Sequence, residues 1–224
     1  MPLKTPILIV NFKAYEKGTG PEAVHLAKIC DAIAKKTKES IAIAVEPTDI
    51  FRVQEVVSIP VFAQHIDPFD PGSHTGSVTA EAVKDAKADG TLINHFEKRI
   101  SLKEIKLAIE HAKKYKLTSL VCSPDNVLEK KIIAFKPDFI AVEPPELIGG
   151  KISVSTAKPE LIKRSFDVLK KARSKTKLIV GAGIQNKADV AISLKLGAVG
   201  VLVASAVVQA KNPKKVLLDL VSAL

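Results

Sequence analysis

Residues 177–205 read KLIVGAGIQNKADVAISLKLGAVGVLVAS, and this stretch decides the fold. It opens on one short apolar run, 177–180, and closes on another, 198–203. Both are nearly continuous in aliphatic residues. A parallel strand buried on both faces reads this way, whereas a half-exposed antiparallel strand alternates. Between the two runs a glycine-bearing loop leads to a helical pattern over 187–196, and Gly197 stands where a helix stop is favoured. The same unit recurs along the whole chain. Comparable runs lie at 7–12, 41–45, 61–63, 91–94, 118–122 and 139–142. Their starts are roughly 20 to 38 residues apart, which leaves room for a strand, a crossover helix and two loops. Helical patterns fill the gaps at 21–36 and 159–172. Ser101 with Glu104 makes a capping box, followed by Leu102, Ile105, Ala108 and Ile109 on one face. Eight such units predict an α/β fold, a (β/α)8 barrel of eight parallel strands with surrounding helices, as a single domain over residues 1–224. A doubly wound open sheet is the alternative. Its dinucleotide fingerprint fails here, because Asn186 stands where a third glycine would follow Gly181 and Gly183.

The composition narrows the class. With 46% hydrophobic and 26% charged residues, the chain is neither disordered nor fibrous. Aromatic residues make up 4%, with no Trp, so the core must be aliphatic. The longest uncharged run, 196–210, is too short and too rich in small residues for a bilayer-spanning helix. The first residues offer only 7–10 as an apolar stretch, well short of a signal-peptide core. Cys30 and Cys122 suggest no disulfide framework. These features predict a soluble, cytoplasmic enzyme. The net charge of +10 is compatible with attraction of a small anion. Only four of the 34 basic residues are Arg, and the lysines are scattered among carboxylates, which argues against a nucleic-acid reader. No Walker A sequence, paired C-x-x-C or H-E-x-x-H occurs, so neither a metal nor a nucleotide cofactor is expected.

In such a barrel, chemistry sits at the C-terminal ends of the strands. The polar residues that close the apolar runs are therefore the candidates. Asn11 and Lys13 end the first run, and a period of two sends both to one side. Asn94-His95 ends the fourth, followed by Phe96-Glu97-Lys98-Arg99. Glu143, with two prolines behind it, ends the sixth; Gly181-Ala182-Gly183 and Ala204-Ser205 end the last two. A carboxylate and an imidazole facing each other can act as base and electrophile. A lysine adds fixed positive charge, and small-residue loops let backbone N–H groups approach a phosphate. These parts fit proton abstraction beside a carbonyl in a phosphorylated substrate. Glu46-Pro47 also closes an apolar run, and pattern alone does not rank it below Glu143. His65, His74 and His111 read as ordinary polar or loop residues, and His25 as helix surface.

A set of motifs in fixed order carries a resemblance: NFK at 11–13, AQHID at 63–67, HTG at 74–76, NHFEKR at 94–99, AVEPPELIG at 141–149, GAGI at 181–184 and GVLVAS at 200–205. Over essentially its whole length the chain resembles the triosephosphate isomerase family, in the short form found in archaea. The resemblance implies a TIM barrel without a cofactor. It implies interconversion of dihydroxyacetone phosphate and D-glyceraldehyde 3-phosphate through an enediolate, in glycolysis and gluconeogenesis. By the same resemblance Glu143 is the base, His95 the electrophile, and Asn11 and Lys13 contact the substrate. Ile148, Gly149 and Gly150 fall in a phosphate-gripping lid; Gly183, Ala204 and Ser205 fall in the phosphate loops, and Glu97 partners Lys13. Phe96 departs from the family, which has Ser there as a partner of the resting glutamate. The runner-up reading is a catalytically weak sugar-phosphate-binding barrel acting as an interaction protein. The resemblance also implies a homotetramer, a dimer of dimers. The loop 65–77, with Thr75 near its tip, would enter a neighbouring subunit, and the helix at Asn126–Ile133 would form the second contact.

Overall fold

The computed structural model describes residues 3–150 and 152–224. Eight strands form a closed parallel barrel in chain order: β1 (Ile7–Asn11), β2 (Ser40–Val45), β3 (Val61–Ala63), β4 (Gly90–Ile93), β5 (Thr118–Ser123), β6 (Phe139–Val142), β7 (Lys177–Val180) and β8 (Gly200–Val203), with β8 returning to β1. Each lies within two residues of an apolar run in the sequence. Helices α1 (Gly20–Thr37), α2 (Ile50–Gln54), α3 (Ala80–Asp85), α4 (Leu102–Lys114) and α5 (Asn126–Ile133) follow the first five strands. The sixth strand is followed by α6 (Val154–Ala157) and α7 (Pro159–Lys171), the seventh by α8 (Lys187–Lys195), and the eighth by α9 (Ser205–Val208) and α10 (Pro213–Val221). Among the described residues no helix is long and apolar enough to cross a membrane.

Alternation along the strands divides the core in two. Ile7 and Ile9, Ala42 and Ala44, Phe62, Leu92 and Phe139 fill the barrel interior. Their strand neighbours Leu8, Val10, Ile41, Ile43 and Ile93 pack outward against the helices. Phe62 needs the absence of a side chain at Gly90, where a Cβ would lie 2.6 Å from the tip of the ring. Helix α4 begins with the capping box, since Ser101 and Glu104 exchange both hydrogen bonds. Its last turn carries Lys113 and Lys114, favourable against the negative end of the helix dipole.

Beneath α5 lies one charged group with no exposed surface. Glu129 accepts a 2.7 Å hydrogen bond from Asn126 Nδ2, which also reaches Ser165 Oγ on α7 at 2.6 Å. Its Oε1 has no partner. Burial pushes the Glu129 carboxyl above its ordinary value, and the Asn126 and Ser165 hydrogen bonds oppose that shift only in part. A carboxyl raised in the folded state stabilises the fold fully below its unfolded value, and that contribution is lost as pH rises through the folded value. Glu129→Gln should therefore gain in Tm relative to the parent between about pH 4, near the unfolded glutamate value, and pH 8. A Tm difference that stays flat across this range would show that Glu129 titrates as an ordinary surface carboxyl.

Candidate active site

The strand ends meet in one cavity lined by Asn11, Lys13, His95 and Glu143, by residues 148–150, and by the loops 182–185 and 202–206. Parity accounts for two of these side chains. On β1, Ile7 and Ile9 point inward and Asn11 follows; on β6, Phe139 and Ala141 point inward and Glu143 follows. His95 arrives by another route. Alternation after the inward Leu92 would turn it toward the helices. Asn94, however, takes φ of 61°, and this left-handed residue redirects the chain so that His95 enters the cavity. Asn tolerates the conformation better than most residues. Its side chain fixes it by donating to the Cys122 carbonyl at 2.9 Å and accepting from the Ile100 N–H at 3.1 Å.

Lys13 is likewise left-handed, with φ of 51°. Its N–H donates to Asn11 Oδ1 at 3.0 Å, and its carbonyl accepts from Gln64 Nε2 at 3.0 Å. The ammonium is largely covered and pairs with Glu97 Oε1 at 2.7 Å. Asn11 and Gln64 thus hold the strained turn that aims the lysine. Glu97 stands outside the cavity lining and acts on it twice. Its backbone N–H donates to His95 Nδ1 at 3.2 Å, from the 3-10 turn Phe96–Lys98. A nitrogen that accepts carries no proton, so the ring proton of the neutral imidazole lies on Nε2.

Glu143 is 6% exposed, and its Oε2 is buried without a partner. Gly181 makes room for it: a Cβ there would lie 2.5 Å from Glu143 Oε1. Behind the carboxylate, burial and then the Glu143 charge push the Cys122 thiol well above its usual value. Phe96 does not line the main cavity. It is 46% exposed and borders, with Arg99, Cys122 and Pro124, a small recess behind Glu143. Glu46 is set apart: it is half-buried, accepts from Thr19 Oγ1 at 3.1 Å, and does not reach the cavity.

The far side of the cavity is backbone. Ala182 and Gly183 both have φ of 72°, and a Cβ at Gly183 would collide with the Ile152 carbonyl. Ser205 and Ala206 open α9, where first-turn N–H groups lack intrahelical acceptors and favour an anion. Between these loops runs the segment 144–150. Pro144 enters it, Pro145–Leu147 form a 3-10 turn, and Gln185 Nε2 donates to the Gly150 carbonyl at 3.2 Å. Glu146 pairs with Lys158. Gln64 and Gln185 were not among the sequence candidates. Gln64 follows β3 directly, so the strand-end rule would have found it; Gln185 has no such signal. Among the described residues no three His, Cys, Asp or Glu side chains gather as a metal site.

The loop between β3 and α3 is built at its base and bare at its tip. Asp67 and Val78 exchange hydrogen bonds, Asp67 also pairs with His65 at 3.1 Å, and residues 69–76 are all exposed. Phe69 stacks on His74 with ring centroids 4.4 Å apart, which gives the tip a shape of its own.

A family model described as triosephosphate isomerase matches residues 6–224. A protein of that name from Methanothermobacter thermautotrophicus is 47% identical over 218 residues, 97% of this chain and 95% of its own. One from Metallosphaera sedula is 46% identical over 220 residues, 98% of this chain and 96% of its own. Among solved structures, triosephosphate isomerase from Bartonella henselae superposes with a TM-score of 0.75 and 19% identity, covering 97% of each chain, a likeness of fold.

The clearance at Gly181 generates a direct expectation. Gly181→Ala should drive the Glu143 carboxyl out of its place, and a misplacement of about 1 Å lowers activity about 10²-fold. The displacement should be visible in a crystal structure of the variant. An unmoved Glu143 with undiminished turnover would mean that the barrel yields instead.

Proposed function

The chain belongs to the triosephosphate isomerase family, and we propose that Glu143, His95 and Lys13 carry its reaction in the cavity described above. The reaction interconverts dihydroxyacetone phosphate and D-glyceraldehyde 3-phosphate. In this reading the Glu143 carboxylate takes a proton from C1 of dihydroxyacetone phosphate, and the electron pair moves toward the carbonyl oxygen. His95 gives its Nε2 proton to that oxygen and takes the O1 hydroxyl proton in its place, which restores the ring and leaves an aldehyde at C1. The Lys13 ammonium offsets the charge of enediolate and phosphate. Glu143 then returns the proton to C2. Asn11 orients the substrate and keeps Lys13 in its turn. The N–H groups around Gly183, Ala204 and Ser205 receive the phosphate, and Ile148 and Gly149 close over it. A closed lid excludes water and guards the enediolate against loss of phosphate.

The observation that carries this reading is the convergence of a buried, unpartnered carboxylate, an imidazole whose Nδ1 faces a backbone N–H and a covered ammonium on one cavity. Glu143→Gln keeps the shape and removes the base, which should lower kcat about 10²-fold or more while binding of a phosphate-bearing inhibitor survives. Near-normal turnover in the variant would take Glu143 out of the mechanism. Only Phe96, beside Glu143 in the small recess, speaks for the runner-up, a catalytically weak sugar-phosphate-binding barrel acting as an interaction protein.

We further propose residues 1–224 as one functional domain, working in the cytoplasm in glycolysis and gluconeogenesis; two free, buried cysteines support a reducing compartment. Self-association as a homotetramer completes the reading. The exposed tip of 69–76, stitched at Asp67, has the form of a docking loop with Thr75 at its end, and α5 supplies the second contact with Val127 68% exposed. Sedimentation should give four times 24.0 kDa. A mass near two chains would leave only the loop contact standing, and a fully active monomer would overturn both.

A further inference from the structure

We propose that the N-terminal end of the barrel, opposite the active site, holds a second site that takes the phosphate chain of a polyphosphate compound. A cavity of about 850 Å³ opens there between the starts of β5, β6 and β7. Six cations line it: Lys113, Lys130, Lys136, Arg173, Lys175 and Lys177. None of the six has a carboxylate partner among the described residues; Lys113 donates to the Phe135 carbonyl at 2.8 Å. The one acid in the wall, Asp138, is committed to Ser119, whose N–H and hydroxyl reach it at 2.9 and 2.8 Å.

All six side chains are exposed, and helix-end balance does not account for every one of them. Lysines at helix ends balance the helix dipole, and that covers Lys113 and Lys130 in the last turns of α4 and α5. The dipole falls off within a turn, so it leaves Lys175 and Lys177 unexplained, in the loop after α7 and at the start of β7. Lys136 and Arg173 stand at the left-handed stops after α5 and α7, with φ of 56° and 47°, and bring two further charges to the same wall. A concave wall of one sign focuses its field and concentrates counter-ions. The floor is apolar, with Ile133, Pro137 and Phe139, and the Lys177 ammonium stands 5.8 Å over the Phe139 ring. Phosphates on the rim with a flat organic group on this floor would satisfy both.

Calorimetric titration of the whole protein at about 0.1 M salt, where exposed charges are partly screened, should show one anion bound per chain. The probes are adenosine triphosphate and, separately, inorganic triphosphate. Tighter binding of the nucleotide assigns the floor to its base, and equal binding assigns the site to the phosphate chain alone; both support the proposal. Lys136→Glu, Arg173→Glu and Lys175→Glu combined should weaken Kd at least tenfold with isomerase kcat/KM unchanged. The corresponding triple Gln variant serves if charge reversal prevents folding. Equal binding by parent and variant, no binding at millimolar probe, or displacement of the probe by the triose phosphate substrate would overturn the proposal.

Discussion

Closure of β8 onto β1 is the constraint on which every other placement depends. Ile7 pairs with Ser40 on one side and Gly200 on the other, and this register fixes which face of β1 looks inward. Gly200 is part of the seam, since a Cβ there would collide with the Ile7 carbonyl. A slip of one residue would send Ile7, Ile9 and Asn11 to the helices and bring Leu8 and Val10 inside. The interior leaves little slack for that, because Phe62 and Phe139 fill the middle only where Ala42, Ala44 and Ala141 stay small. Packing and chemistry are thus set by one choice. The apolar fill at the bottom of each strand carries the polar residue at its top into the cavity.

Three left-handed residues other than glycine stand by the cavity, Lys13, Asn94 and Ala182, and the first two aim its side chains. Lys13 and Asn94 are left-handed without being glycine, at a cost of about 1–2 kcal/mol each. Each is held by two hydrogen bonds from outside its own peptide, Lys13 by Asn11 and Gln64, Asn94 by Cys122 and Ile100. Strain at these points is tolerated because the neighbouring strands over-determine it.

This division explains what the sequence discloses. β5 and β6 are legible almost to the residue, because a strand buried on both faces admits no charge, and charged or proline-bearing segments bound the runs. Asn11 and Glu143 follow from their own runs by parity, but parity would bring Glu46 in with them, because Ala42 and Ala44 also point inward, and the structure keeps it out. The entry of His95 into the cavity does not follow from parity, because it depends on the backbone of Asn94, which its residue type permits without requiring. Helix ends are poorly legible for a related reason. Glycine marks the stop after α8 at Gly197, yet Lys38, Lys87, Lys116, Lys136 and Arg173 occupy the left-handed stops of α1, α3, α4, α5 and α7. There the favourable charge at the helix C-terminus, about 0.3–1 kcal/mol, offsets much of the backbone strain, and the usual glycine signal disappears. Pairings across loops, such as Gln185 with Gly150, leave no periodic trace at all.

Phe96 bears on the resting state of the proposed base. A phenyl ring at this position, 46% exposed, gives the Glu143 carboxylate no hydrogen-bond partner. Asn94, Arg99, Cys122 and Ser123 border the recess behind Glu143, yet none of them donates to Oε2, and the Cys122 thiol is a weak donor. That thiol keeps its proton, because burial and the adjacent carboxylate both resist its ionisation. A buried acceptor without a full partner costs about 1–3 kcal/mol, and in the open site that penalty rests on Glu143 Oε2. Taking a proton from the substrate removes the unpaired charge, so the penalty belongs to the resting state and is relieved as the enediolate forms. On this argument the missing hydroxyl favours the chemical step. What it removes is a restraint on the carboxylate, which lies in the space left by the absent side chain of Gly181.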